Sequence, residues 1–132
     1  MITQTRRTFL ATASALTLGV TNSFAMEKEN SPLVHHVFFW LKNPTSKEDL
    51  TKLLEGLKTL KKIETIKMLH IGVPASTEKR DVVDNSYSAS ELMFFDDLAG
   101  QKTYQDHPIH QKFIADCSHL WDKVIVYDAI SA

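Results

Sequence analysis

The chain of 132 residues has a single cysteine, Cys117. A lone cysteine makes no disulfide within the chain, so whatever fold forms must rest on its core. Charge of one sign is missing as well: 15 Lys and Arg stand against 16 Asp and Glu, a formal balance of -1. With no Lys/Arg-rich block, this excludes the electrostatic footprint of a nucleic-acid binder. No apolar run approaches the roughly 20 residues that span a bilayer. Internal repeats and low-complexity segments are absent too, which excludes solenoids and linker-like chains. There is no His-x-x-x-His helix motif and no cysteine pair, so the commonest zinc signatures are missing.

What is present is a hydrophobic fraction of 43%, an aromatic fraction of 9% and six histidines. These are values of one soluble globular domain, with a generous share of imidazole. The N-terminus reads differently from the rest. "TRRTFLATASALTLGVTNSFA" (Thr5 to Ala25) pairs Arg6 with Arg7 and follows them with Phe9 and Leu10. An apolar stretch from Thr8 to Val20 and small residues at "SFA" complete the pattern of a twin-arginine export signal. Residues 1–25 are therefore expected to be a signal peptide, 26–32 a polar linker and 33–132 the domain. Export to the periplasm follows, with no stable membrane insertion after cleavage. Without residues 1–25 the balance becomes 13 basic against 16 acidic residues, or -3.

Four strands and two helical segments are predicted for the domain. "LVHHVFFWLK" (Leu33 to Lys42) is rich in β-branched and aromatic residues. Alternation puts His35, Val37, Phe39 and Leu41 on one face and His36, Phe38, Trp40 and Lys42 on the other. Both faces are largely apolar, so this strand is expected to be buried on both sides. Ser46, with Asp49 three residues on, caps a helix whose stripe is Leu50, Leu53, Leu54, Leu57 and Leu60. Gly56 weakens that helix. "TIKMLHIG" (Thr65 to Gly72) is the second strand, with Ile66, Met68 and His70 on one face. A long polar connection, "VPASTEKRDVVDNS", leads to "YSASELMFF" (Tyr87 to Phe95). Asp96 or Asp97 then starts a short helix carrying Leu98, Gln101 and Tyr104 or Gln105 on neighbouring turns. Pro108 breaks it near His107 and suits the first turn of a new helix, which carries Ile109, Phe113, Ile114, Cys117 and Leu120 on one face. "KVIVYDAI" (Lys123 to Ile130) is the last strand.

The order β-α-β-β-α-β, with the second helix split, predicts an α+β, ferredoxin-like fold with an antiparallel four-stranded sheet. One layer of helices leaves the other sheet face bare. A second copy packed sheet to sheet is the simplest cover, which predicts a homodimer.

With these elements placed, the sequence resembles the stress-responsive dimeric α/β-barrel (Dabb) family. The resemblance rests on "HHVFFWLK", "GVP", "VVDNSYS", Phe95 followed by "TYQDHPIH", and a closing "VYD". It covers nearly all of Leu33 to Asp128, and "YxxHPxH" after a strand ending in Phe-Asp is its most specific part. It implies a dimer in which two curved sheets form a central barrel with the helices outside. Plant polyketide cyclases of this family use a Tyr and a His as an acid–base pair in an apolar pocket between helices and sheet. The pattern places that pair at Tyr104 and His110, the candidate catalytic residues. A further pocket histidine falls at His35, with His36 one residue off. The loop "VPASTEKRDVVDNS" and Trp40 depart from the plant pattern.

The residues themselves leave three functions open. At the third position of a helix starting at Pro108, His110 lies where the helix dipole disfavours an imidazolium, and a neutral imidazole suits a general base. Tyr104, just upstream, would donate to a developing enolate oxygen. This is the cyclase- or isomerase-like reading. The second is a non-enzymatic protein binding a small apolar or carbonyl-containing molecule, with His35, Val37, Phe39 and His107 as candidate contacts and Tyr104 and His110 as polar partners. His107 is also placed to cap or shape the break. The third is metal binding, since His107 and His110 are three apart. No cofactor is expected, and no metal ligands are assigned.

Overall fold

The computed structural model describes residues 31–132. The export signal expected over residues 1–25 and most of the linker expected over 26–32 lie outside the described residues. Strands β1 (Leu33–Leu41), β2 (Ile66–Gly72), β3 (Ala89–Phe95) and β4 (Trp121–Ile130) form one antiparallel sheet in the order β2-β3-β1-β4. Helices α1 (Lys47–Thr59), α2 (Leu98–Asp106) and α3 (Pro108–Cys117) make the two crossovers. This is the predicted ferredoxin-like α+β plan. Among the described residues no helix is long and apolar enough to cross a membrane.

Alternation along β1 sets the two faces. Leu33, Val37, Phe39 and Leu41 are buried under the helices together with His35, while His36, Phe38 and Trp40 are half-buried on the other face. The expectation of full burial on both sides therefore holds for one face only within a single chain. On that second face Phe38 packs edge-on against Tyr87 and Tyr127, and a groove of about 160 Å³ opens beside them.

Helix α1 starts where the sequence pointed. The Ser46 hydroxyl accepts from the Asp49 N–H at 3.1 Å, satisfying one of the donors that every helix start leaves free. Leu53, Leu57 and Leu60, the last in a 3-10 turn (Leu60–Lys62), are fully buried. Gly56 has a positive role that propensity hides. A Cβ there would lie 2.5 Å from Cys117 Sγ and 3.1 Å from Phe113 Cδ1, so glycine lets α1 approach α3 closely.

Three strand details differ from expectation. In β2, Ile66 pairs with Phe95 and Met68 with Phe94, so Lys67 is an extra residue in a bulge. The bulge turns Ile66 to the same side as Leu69 and Ile71, which pack on the core, and away from Met68 and His70. Strand β3 begins at Ala89 rather than Tyr87, because the Ser88 hydroxyl takes the Leu41 N–H at 3.1 Å in place of a ladder carbonyl. Strand β4 begins at Trp121, paired with Leu41 across an irregularity at Trp40/Leu41.

Candidate functional site

The break between α2 and α3 is a local exchange of hydrogen-bond partners. His107 N–H still closes α2 on the Tyr104 carbonyl at 3.1 Å. Pro108 has no N–H to donate. Ile109 N–H donates instead to His107 Nδ1 at 3.1 Å, so His107 is the N-cap of α3. That leaves the Gln105 carbonyl without its helical partner, and His110 Nδ1 lies 3.1 Å from it. A carbonyl only accepts, so Nδ1 carries the proton and Nε2 keeps the lone pair. Burial is the main cause that holds His110 below the ordinary imidazole range. Desolvation, rather than the helix dipole expected from the sequence, is the leading cause of the lowered pKa.

The inward rows of three strands meet the kink. His35 on β1 lies opposite Asp128 on β4, and His35 Nδ1 is 2.5 Å from Asp128 Oδ1. Glu91 on β3 lies opposite Val37, diagonal to His35, with Glu91 Oε1 3.8 Å from His35 Nε2. Tyr104 reaches down from α2 and donates its hydroxyl to Glu91 Oε1 at 3.1 Å. Its ring packs against His110 at 4.6 Å and His35 at 5.5 Å between centroids. Glu91 is 2% exposed and Tyr104 1%. Burial pushes the Glu91 carboxyl up to about 7, against the pull of the Tyr104 hydrogen bond. Burial first, then the neighbouring Glu91, pushes the Tyr104 hydroxyl above its ordinary range, so it stays protonated.

His35, Glu91, Tyr104 and His110 line a cleft of about 210 Å³ between helices and sheet. Val37 and Phe39 form part of its floor, and Phe113, Trp121, Val124 and Val126 complete the apolar wall. No Lys or Arg lines it. His35 rather than His36 faces the cleft; His36 packs at a tilt against Phe38 on the opposite face of the sheet. His107 is not among the lining residues, and its Nε2 points to Glu64 Oε2 at 3.5 Å. The inward face of α3 carries His110, Phe113 and Cys117, whereas Ile114, expected there, is 39% exposed at the rim. His107 and His110 thus serve different partners. Among the described residues no group of three or more His, Cys, Asp or Glu side chains is placed to hold a metal ion.

Two site residues escaped the sequence reading, Glu91 and Asp128. Glu91 had a visible signal: it alternates with Ala89, Met93 and Phe95, so a carboxylate stands in an apolar row. Asp128 closes "VYD", but only the ladder register sets it against His35.

The model of the stress responsive A/B barrel domain matches residues 33–131. The chain belongs to the Dabb family. This Dabb chain is 27% identical over 94 residues to a stress-response A/B barrel domain-containing protein of Arabidopsis thaliana, covering 71% of this chain and 81% of the relative. A Dabb family protein from Mesorhizobium loti with a ferredoxin-like fold superposes with a TM-score of 0.64 at 24% identity, over 77% of this chain and 98% of the other. The hydroxynitrile lyase of Passiflora edulis gives 0.65 at 17% identity, over 78% and 95%. A dimeric ferredoxin-like protein from Thermobifida fusca gives 0.63 at 16%, over 78% and 93%. At these identities the solved structures share the fold of the Dabb chain.

Proposed function

We propose that this chain is an exported homodimer whose helix–sheet cleft binds a small, neutral, carbonyl-containing molecule and moves a proton on it. The observation that carries the reading is the Nδ1 bond of His110 to the Gln105 carbonyl. It commits one ring nitrogen and leaves Nε2 as the base of an otherwise largely apolar cleft. His110 would take a proton from the carbon next to the carbonyl, and Tyr104 would donate to the oxygen where charge develops. Size and charge support the ligand class. A cleft of about 210 Å³ suits a ring-sized molecule, given that an apolar cavity of about 150 Å³ holds benzene. No Lys or Arg lines the cleft, so it offers an anionic ligand no ammonium or guanidinium partner.

Dimeric relatives of the same fold and the bare aromatic face of β1 and β4 support the homodimer. The arginine pair and apolar stretch before Ala25 support export. That the fold houses a hydroxynitrile lyase in Passiflora edulis supports chemistry in it. Binding without turnover is the second reading, favoured by the Tyr104 hydroxyl being already bonded to Glu91.

Deuterium exchange next to the carbonyl of acetophenone, followed by NMR in heavy water, tests the proposal. The wild-type protein is expected to exchange faster than buffer, and His110→Ala to lose about 100-fold or more with an unchanged circular dichroism spectrum. Equal exchange by His110→Ala would remove His110 as the base. Binding without exchange in the wild type would leave the second reading standing.

A further inference from the structure

Glu91 is the buried titratable group that this mechanism does not use. It sits 2% exposed between Tyr104, which that mechanism uses, and His35. Tyr104 donates to its Oε1 at 3.1 Å, while its Oε2 is buried with no hydrogen-bond partner. An ionised carboxylate with one bare oxygen in such a place carries a large desolvation cost; a neutral acid carries a much smaller one. The groups facing it add no cation from Lys or Arg. From β1, His35 Nε2 lies 3.8 Å away. From β4, Asp128 stands behind His35, 2.5 Å from its Nδ1. From α2 comes Tyr104, and from α3 His110 packs on the tyrosine ring. Asp128 accepts from His35 Nδ1, which leaves Nε2 as the ring nitrogen on the Glu91 side.

Hydrogen accounting then decides what Tyr104 can do. Its hydroxyl has one hydrogen. With Glu91 ionised, that hydrogen is held by the carboxylate, and a ligand oxygen finds no donor. With Glu91 protonated, the acid donates through Oε1 to the tyrosine oxygen, and the tyrosine hydrogen is free to turn outward. Two aligned hydrogen bonds in series also polarise one another.

We propose that Glu91 is a positioning residue that acts through Tyr104: carrying a proton taken from solvent, it donates to the tyrosine oxygen and releases the tyrosine hydrogen to a ligand carbonyl. The ligand half of this proposal rests on the reading of the cleft given above. No covalent bond is made or broken, and one proton is taken up per site.

The test is a carbon-13 titration of protein labelled at the glutamate carboxyls, with Glu91 assigned through Glu91→Gln and the His35 ring followed in the same samples. The Glu91 signal is expected to titrate at about 7. Acetophenone affinity is expected to weaken roughly fivefold, about one hydrogen bond, as pH rises through that midpoint. Burial moves His110 downward, away from this midpoint, and its ring is followed in the same samples so that any slope of its own is separated. In Glu91→Gln, an isosteric change, the amide N–H donates to Tyr104 at every pH and the slope is expected to vanish. A Glu91 carboxyl already ionised at pH 5 overturns the proposal. So does a Glu91→Gln variant that keeps the wild-type slope. The titration needs no ligand: a midpoint at about 7 with no acetophenone binding would overturn the reading of the cleft and uphold the place of the proton.

Discussion

One face of one sheet is treated in two ways. On the β2–β3 side, α1 lies over the strands, and Leu53, Leu57, Leu60, Ile63 and Met93 are sealed completely. On the β1–β4 side the inward row continues in Val124 and Val126, but these remain 44% and 45% exposed because no helix covers them. The strands supply the same alternation on both sides. Helix cover alone separates a dry aliphatic core from a cleft. The polar groups collect at the boundary: His35, Glu91, Tyr104 and His110 are buried by the edge of the helix layer, and Val124 and Val126 keep an opening beside them. At this boundary burial deep enough to shift a pKa lies next to space for a ligand.

The comparison can be broken by mutation. The largest effect is expected in the sealed half, where Leu57→Ala should cost about 3 kcal/mol in urea denaturation, within the roughly 2–5 kcal/mol range for buried leucines. A loss below 1 kcal/mol would mean that this half is not sealed.

At the boundary the expected sign is opposite and depends on pH. The folded-state pKa of Glu91 is raised from 4.5 to about 7. The folded state then holds this proton more tightly than the unfolded chain. Its contribution is complete below about 4.5 and is lost as pH rises through about 7. Glu91→Gln should therefore gain on the wild type between pH 5 and pH 8, by on the order of 3 kcal/mol. Denaturation of both proteins at the two pH values measures it, and a constant difference would place Glu91 in solvent-like surroundings.

The smallest effect is expected in the open half. Val126→Ala removes half-exposed methyl groups and should cost less than about 1 kcal/mol, while narrowing no wall of the core. A cost equal to that of Leu57→Ala would erase the distinction between the halves.

Much of the site could be read along the chain because its parts are local. "HPIH" contains the N-cap His107, the donor-less Pro108 and His110 at the third position, and the exchange of partners there needs nothing beyond the segment itself. Alternation placed His35, Val37 and Phe39 on one face for the same reason. What failed was what depends on contact between distant elements. Glu91 meets Tyr104 thirteen residues away and His35 on another strand. The doublet His35–His36 was ambiguous until the helices chose a side of the sheet. His110 joins the inward face of α3, while Ile114, placed there by periodicity, lies at the exposed rim. Ile66 changed sides through a bulge at Lys67 that no periodicity announces.

By itself, then, the sequence determined the order of elements, the break at Pro108, the tautomer-setting position of His110 and the family, because propensities, caps and alternation act over a few residues. Only the tertiary structure decided that Glu91 joins His35 and Tyr104, and that its carboxyl is held near neutrality. Desolvation comes from every neighbour packed around a group, and those neighbours belong to four different elements of the chain.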